Sequence, residues 1–371
     1  MNRIAELLTH GQSCWMDDLT RQMIVDGELE RRIGDGVRGI TTNPAILEKA
    51  TADSDAYERD IARDVERGLS PAEIYDELIE TDVRKACDLM RPVYDASNGE
   101  DGFVSLEVSP YLAHDTEGSN AEARRYWKRV DRPNLFIKIP GTAEGAPAIE
   151  QMLFEGVNIN ITLLFSIESY EAVAEAYLRA LERRVDAGLP INRVASVASF
   201  FLSRIDVLID DLLGDRPDAQ RLKGKAAVAN AKLAYQSFKR MLETERWRRL
   251  AAKGARPQRM LWASTSTKNP DYDDLMYVEP LIGPMSINTM SRKTIAAFLD
   301  HGEVRTTVED DLEEARKVMA DVERLGISFA QVTKQLEDEG IQKFIEPYDK
   351  LMAGFEARRK RAEPAGQAAD R

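Results

Sequence analysis

The sequence predicts an α/β chain whose strands close into a parallel (β/α)8 barrel, and three observations lead there. Short apolar, β-branched runs alternate with longer amphipathic, charge-rich stretches, the rhythm of repeated βαβ units. Eight such runs can be counted along the 371 residues. No Pro/Gly/Ser-rich linker divides them into two groups, and no repeat of fixed period is present. The expectation is one barrel domain over 1–361, with the small, polar segment 362–371 read as a disordered tail. A doubly wound open sheet is the alternative.

In order, the strand-like runs are 12–17, 37–42, 103–108, 135–139, 157–163, 193–199, 260–265 and the short 280–283. Helical patterns fill the gaps. Ser70-Pro71-Ala72-Glu73 supplies an N-cap serine, a proline at the first helical position and a glutamate at the third, so a helix is expected from there towards Arg91. Residues 167–187 have apolar positions at helical spacing. The long, basic, amphipathic stretch 218–253 reads as an insertion between the sixth and seventh strands. Helices are further expected over 288–299 and 307–325, with a closing helix over 340–361.

Composition excludes several classes. Hydrophobic residues make up 43% and charged residues 31%, an ordinary globular balance able to bury a large core. Fifty-one basic against 64 acidic residues give a net charge of −13, which argues against broad binding to nucleic acid or to an anionic membrane. Cys14 and Cys87 form no CxxC pair, and His10, His114 and His301 form no HExxH pair, so neither a disulfide framework nor a metal centre is expected. No secretory leader and no stretch of about 18 apolar residues is read. The expectation is a cytoplasmic protein.

Two motifs are set aside on context. Gly34-Asp35-Gly36-Val37-Arg38-Gly39 matches GxGxxG, but it leads into a strand, where a dinucleotide fingerprint must open a helix. Asn160-Ile161-Thr162 matches a glycosylation sequon but lies inside an apolar strand.

The informative residue is Lys138. Strand alternation sends Leu135, Ile137 and Ile139 outwards and Phe136 and Lys138 into the barrel, just before Pro140-Gly141 ends the strand. There a lysine sits at the rim where barrel chemistry occurs, and desolvation favours the neutral amine that attacks a carbonyl. The alternative is a structural lysine paired with an acid. Other strands supply Ser105, Glu107, Asn158, Asn160, Thr162, Trp15 and Asp17 at the same inward phase. An acid, an amine, an amide and hydroxyls converging on one rim point to an active site. Thr41-Thr42-Asn43-Pro44 follows the second run and also fits a plain Asx-type turn.

Together these segments resemble transaldolases. Thr41-Thr42-Asn43-Pro44, Phe136-Ile137-Lys138-Ile139-Pro140, Asn160-Ile161-Thr162-Leu163-Leu164-Phe165-Ser166 and Ser199-Phe200-Phe201-Leu202-Ser203-Arg204 occur in that family's order. The length, with Trp262-Ala263-Ser264-Thr265-Ser266-Thr267-Lys268-Asn269-Pro270, is similar to its longer bacterial branch. The resemblance implies a (β/α)8 barrel of the non-oxidative pentose phosphate pathway. Such an enzyme transfers a dihydroxyacetone unit between sugar phosphates without metal or organic cofactor.

It further implies roles. Lys138 matches the Schiff-base lysine and Asp17 the acid/base aspartate, with Asp18 expected to point the other way. Glu107 and Thr162 match the pair that holds a catalytic water. Thr41, Asn43, Asn160 and Ser199 match residues that bind the dihydroxyacetone moiety, and Arg204 matches a phosphate-binding arginine. One departure stands out. Where shorter members carry Ser-Phe-Arg after the seventh strand, this chain has Ser264-Thr265-Ser266, so a second phosphate arginine is missing. Lys268 is either its replacement, as a point charge without arginine's planar fork, or a solvated loop lysine.

The expected partners are sugar phosphates: sedoheptulose 7-phosphate or fructose 6-phosphate as donor, glyceraldehyde 3-phosphate or erythrose 4-phosphate as acceptor. Two rivals remain, a fructose 6-phosphate aldolase of the same family and a non-catalytic sugar-phosphate-binding barrel. Glu107 and Phe201 favour transfer, since in the family aldolase activity goes with glutamine and a hydroxyl-bearing residue at those positions. The residues carry no reading of oligomeric state.

Overall fold

Eight parallel strands close on themselves in the computed structural model, which describes residues 2–362. They are β1 (Gln12–Met16), β2 (Gly39–Ile40), β3 (Phe103–Glu107), β4 (Leu135–Pro140), β5 (Ile159–Leu164), β6 (Ser196–Phe201), β7 (Arg259–Ala263) and β8 (Ser286–Met290). Each pairs with the next, and β8 returns to β1 along the register Gln12↔Ser286 to Met16↔Met290. Because paired residues in a parallel ladder face the same way, Glu107, Lys138 and Asn160, which lie side by side in the register, all point inwards.

The seven earlier strands lie where the apolar runs place them, with β6 shifted towards its C-terminal end. The eighth does not. Residues 280–283 form part of a turn that includes the 3-10 segment Glu279–Leu281, and the strand is Ser286–Met290, which overlaps the first residues of the helix expected from 288. The reason is chemical. On the outer face of β8, Ser286 donates to the Gly283 carbonyl and Asn288 to the Tyr277 carbonyl, while Gln12 beside them on β1 donates to the Leu281 carbonyl. A loop covers this face, so the strand carries amides and hydroxyls where the others carry isoleucines and valines. The following helix begins at Arg292, capped by Ser291, and ends at His301.

Other helices agree in kind and differ in extent. Ser70 and Glu73 make the expected capping box, and that helix runs Pro71–Ala96, past an internal Pro92. Ile167–Asp186 is one helix. The insertion between β6 and β7 is not continuous, since Thr244 ends Ala226–Glu243 and its side chain caps Glu245–Ala251. The expected helix over 307–325 is confined to Leu312–Arg324. The closing helix is Phe329–Ala362, starting well before Gly340. Apart from Ala362, the expected tail lies outside the described residues.

Inside the barrel the side chains are layered along the axis. Near the N-terminal ends of the strands, Asp101 accepts from Ser13 at 2.6 Å, from Trp15 Nε1 at 3.0 Å and from Arg259 at 3.2 Å. Above it Trp15, Phe103 and Phe136 pack with ring centroids 4.2–6.3 Å apart. Gly39 makes room for this layer, because a Cβ there would come within 2.4 Å of the Trp15 ring. The third layer, at the C-terminal ends, is polar again and carries Glu107, Lys138 and Asn160.

Candidate active site

Lys138 stands at the centre of that polar layer. Its Nζ donates to Glu107 Oε2 at 3.2 Å and to the Thr42 carbonyl at 3.1 Å, and both charged side chains are buried. Burial raises the pKa of Glu107 above the ordinary carboxylate range, against the pull of the Lys138 charge. Thus the lysine is indeed paired with an acid, yet it also lines a cavity of about 250 Å³.

That cavity collects most of the residues singled out from the sequence. Asp17, Thr41, Asn43, Lys138, Ser199, Phe201, Arg204, Ser264 and Lys268 all line it. Glu107, Asn160 and Thr162 do not, and stand behind its wall. Asn160 accepts from Ser199 Oγ at 2.7 Å and donates to Ser105 Oγ at 3.0 Å, so the amide is held at a fixed tilt. Thr162 Oγ1 is buried with no protein hydrogen-bond partner, a hydroxyl free to hold water or substrate.

Asp17 follows β1, and its Oδ1 accepts from Thr41 Oγ1 at 2.7 Å. Asp18 turns away, its carboxylate paired with Arg292 at 2.6 Å, and it lines a neighbouring cavity instead. Burial pushes the Asp18 pKa up and Arg292 opposes the shift. Asn43 is the N-cap of the helix Pro44–Asp53, accepting from the Ile46 N–H at 3.2 Å. The turn reading therefore holds, and the same residue also lines the cavity.

Arg204, in the first turn of the helix Ser203–Leu213, stacks its guanidinium on Phe201 and Phe344 at 5.4 and 5.9 Å. Its Nη1 is buried without a hydrogen-bond partner. Burial lowers its pKa, while Glu107 and Asp17 pull the other way. A desolvated guanidinium with a free donor is suited to an anion. Lys268 stands at the rim, exposed on its outer side, and burial of its amine together with the nearby Arg204 holds its pKa below the usual lysine range. Ser264 adopts φ 55° and shares a hydroxyl contact of 2.9 Å with Ser203.

Sequence reasoning missed Thr289, Ser291 and Phe344, which also line the cavity. Thr289 Oγ1 lies 2.9 Å from Thr41 Oγ1. The expected eighth strand lies six residues too early to include it, whereas Trp15 and Asp17 share its inward phase through the register Trp15↔Thr289. Nothing in the local pattern of Phe344 sets it apart from a core phenylalanine.

This arrangement joins a buried lysine, an acid beside it, a second acid across a small cavity and a free guanidinium, which suits carbonyl chemistry on an anionic substrate. The family model described as transaldolase/fructose-6-phosphate aldolase matches residues 14–355. The chain belongs to that family. It is 47% identical to "Transaldolase 2" of a Nostoc species, over 98% of this chain and 99% of that protein. It is also 47% identical to "Transaldolase" of Trichodesmium erythraeum, over 98% and 99%, and to "Transaldolase" of Thiobacillus denitrificans, over 95% and 99%. Among the described residues, no helix is long and apolar enough to cross a membrane.

Proposed function

We propose that the chain is a transaldolase, moving a dihydroxyacetone unit from sedoheptulose 7-phosphate or fructose 6-phosphate to glyceraldehyde 3-phosphate or erythrose 4-phosphate. The observation that carries this reading is the Lys138–Glu107 pair at 3.2 Å beneath a cavity that Asp17 and Arg204 also line. Lys138 attacks the ketose carbonyl as the free amine, after giving its extra proton towards Glu107. Glu107 and Thr162 hold the water that carries protons through carbinolamine to imine. The protonated imine is the electron sink. Asp17 takes the proton of the C4 hydroxyl, the C3–C4 bond breaks, and the aldose leaves while a three-carbon enamine stays on Lys138. An acceptor aldehyde then reverses these steps.

Substrate contacts follow from the same wall. Ser199, Thr41 and Asn43 present hydroxyls and an amide to the dihydroxyacetone end, with Asn160 behind Ser199 reaching it once substrate displaces that contact, and Arg204 with Lys268 takes the phosphate. The working site is cytoplasmic in this reading, with soluble sugar phosphates as the partners. The test is a coupled assay of erythrose 4-phosphate-dependent consumption of fructose 6-phosphate, set against dihydroxyacetone release from fructose 6-phosphate alone. Dominant release would replace transfer by aldolase activity, and neither reaction would leave a binding barrel.

A further inference from the structure

Phe344 reaches the Lys138 cavity by a different route from its other lining residues. Those lie on strands or in the few residues after them, whereas Phe344 comes from the closing helix Phe329–Ala362. Its ring centroid lies 5.6 Å from Lys138 Nζ and 5.9 Å from Arg204 Cζ, and the side chain is itself buried. The helix is seated tightly. One turn before Phe344, a Cβ on Gly340 would come within 2.9 Å of Leu163 Cδ2 and 3.3 Å of Arg204 Nη1. Leu163 meets it there because β5 breaks register between Ile161 and Leu164, with Leu163 at φ 60°. One turn after Phe344, Tyr348 packs edge-on against Tyr75 with ring centroids 5.2 Å apart. The ring is therefore fixed over the amine from both sides, and it offers no hydrogen bond to water.

We propose that Phe344 is a specificity-determining residue that decides the fate of the lysine-bound three-carbon unit by keeping water from it. This rests on the transaldolase reading. The enamine has two exits. In transfer, its C3 attacks the acceptor carbonyl carbon, a C–C bond forms, the aldehyde oxygen takes the proton held by Asp17, and the nitrogen returns to the iminium. In release, C3 takes a proton instead and water adds to the iminium carbon. The C–N bond then breaks, leaving free dihydroxyacetone and the lysine ammonium, with no oxidation or reduction. Transfer ends in the same hydrolysis, of the lengthened iminium, so the two exits part at C3, where only release needs a proton, delivered through water. An apolar ring over Nζ lowers the local supply of water without hindering an acceptor that enters along the polar wall.

The experiment measures the ratio of dihydroxyacetone release to erythrose 4-phosphate-dependent transfer, with fructose 6-phosphate as donor. Because both products come from one intermediate, the ratio is independent of how much enzyme is folded, and a merely structural role for Phe344 would not move it. Phe344→Ala raises the ratio on the order of tenfold. Phe344→Tyr keeps the ring and adds a hydroxyl that can hold water, and raises it about threefold. Phe344→Tyr decides alone if the alanine variant does not fold. A ratio within twofold of wild type in the folded variants overturns the proposal. Absence of transfer in the wild type would instead overturn the functional reading.

Discussion

Lys138 and Glu107 sit in register on neighbouring strands with nitrogen and oxygen 3.2 Å apart, both buried at the mouth of the barrel. A pair of this kind is weak evidence for stability, since desolvation offsets much of its attraction. Its chemical value is larger. Glu107→Gln keeps the shape and removes the proton acceptor, so kcat is expected to fall by about 10²–10⁴-fold with little change in KM. Steady-state kinetics on fructose 6-phosphate and erythrose 4-phosphate decide it, and a kcat within threefold of wild type would remove Glu107 from the mechanism.

Trapping separates Lys138 from Asp17. Borohydride reduces an imine to a stable amine, so wild type with fructose 6-phosphate gains a three-carbon adduct on Lys138. Asp17→Ala retains the nucleophile and loses the base for cleavage, so its adduct keeps all six carbons. Lys138→Met gives none. Peptide mass spectrometry reads all three, and an adduct on another lysine in Lys138→Met would refute the assignment.

In the proposed reading phosphate recognition centres on Arg204. A charge-assisted hydrogen bond is worth roughly 1.5–3 kcal/mol, so Arg204→Ala is expected to weaken sugar phosphates by about 10–100-fold while leaving free dihydroxyacetone nearly unaffected. Lys268, exposed at the rim, contributes less, and Lys268→Ala costs up to about fivefold. Equal affinity in Lys268→Ala and wild type would return this lysine to the solvent.

A further prediction concerns Asp206, two residues after Arg204. It is buried, accepts from the Ala227 N–H and from Tyr277 Oη at 2.9 Å each, and burial raises its pKa to about 7. A carboxyl raised above its unfolded value of 3.8 holds its proton longer in the folded chain. Its contribution is therefore fully present below about pH 4 and is lost as pH rises through about 7, at about 1.4 kcal/mol for each pH unit between the two values. Asp206→Asn stays neutral and removes this slope. Denaturant unfolding of both proteins from pH 5 to 8 checks it, and parallel pH profiles would contradict the protonated state of Asp206.

How much of this was legible depends on which residues face which solvent. Lys138, Glu107 and Thr162 could be placed because their neighbours Ile137, Leu106 and Ile161 are apolar and alternate with them, marking a face. In β8 the alternation vanishes, because Ser286 and Asn288 on the outer face bond to loop carbonyls, and the buried turn with Leu281 and Ile282 looked more like a strand. The break at Thr244 was a single capping residue inside a strongly helical stretch. Phe344 is separated from Lys138 by more than 200 residues of chain, and no periodic pattern carries information over that distance.

The closing helix has a consequence for synthesis. A ribosome delivers all eight strands before Phe329–Ala362 emerges. Lys138, Glu107 and Asp17 are thus synthesised well before the ring that covers them. In the proposed reading the residues of the chemistry are made early and the residue that sets selectivity last, so a chain terminated upstream of Phe344 would carry the nucleophile without the ring that guards it.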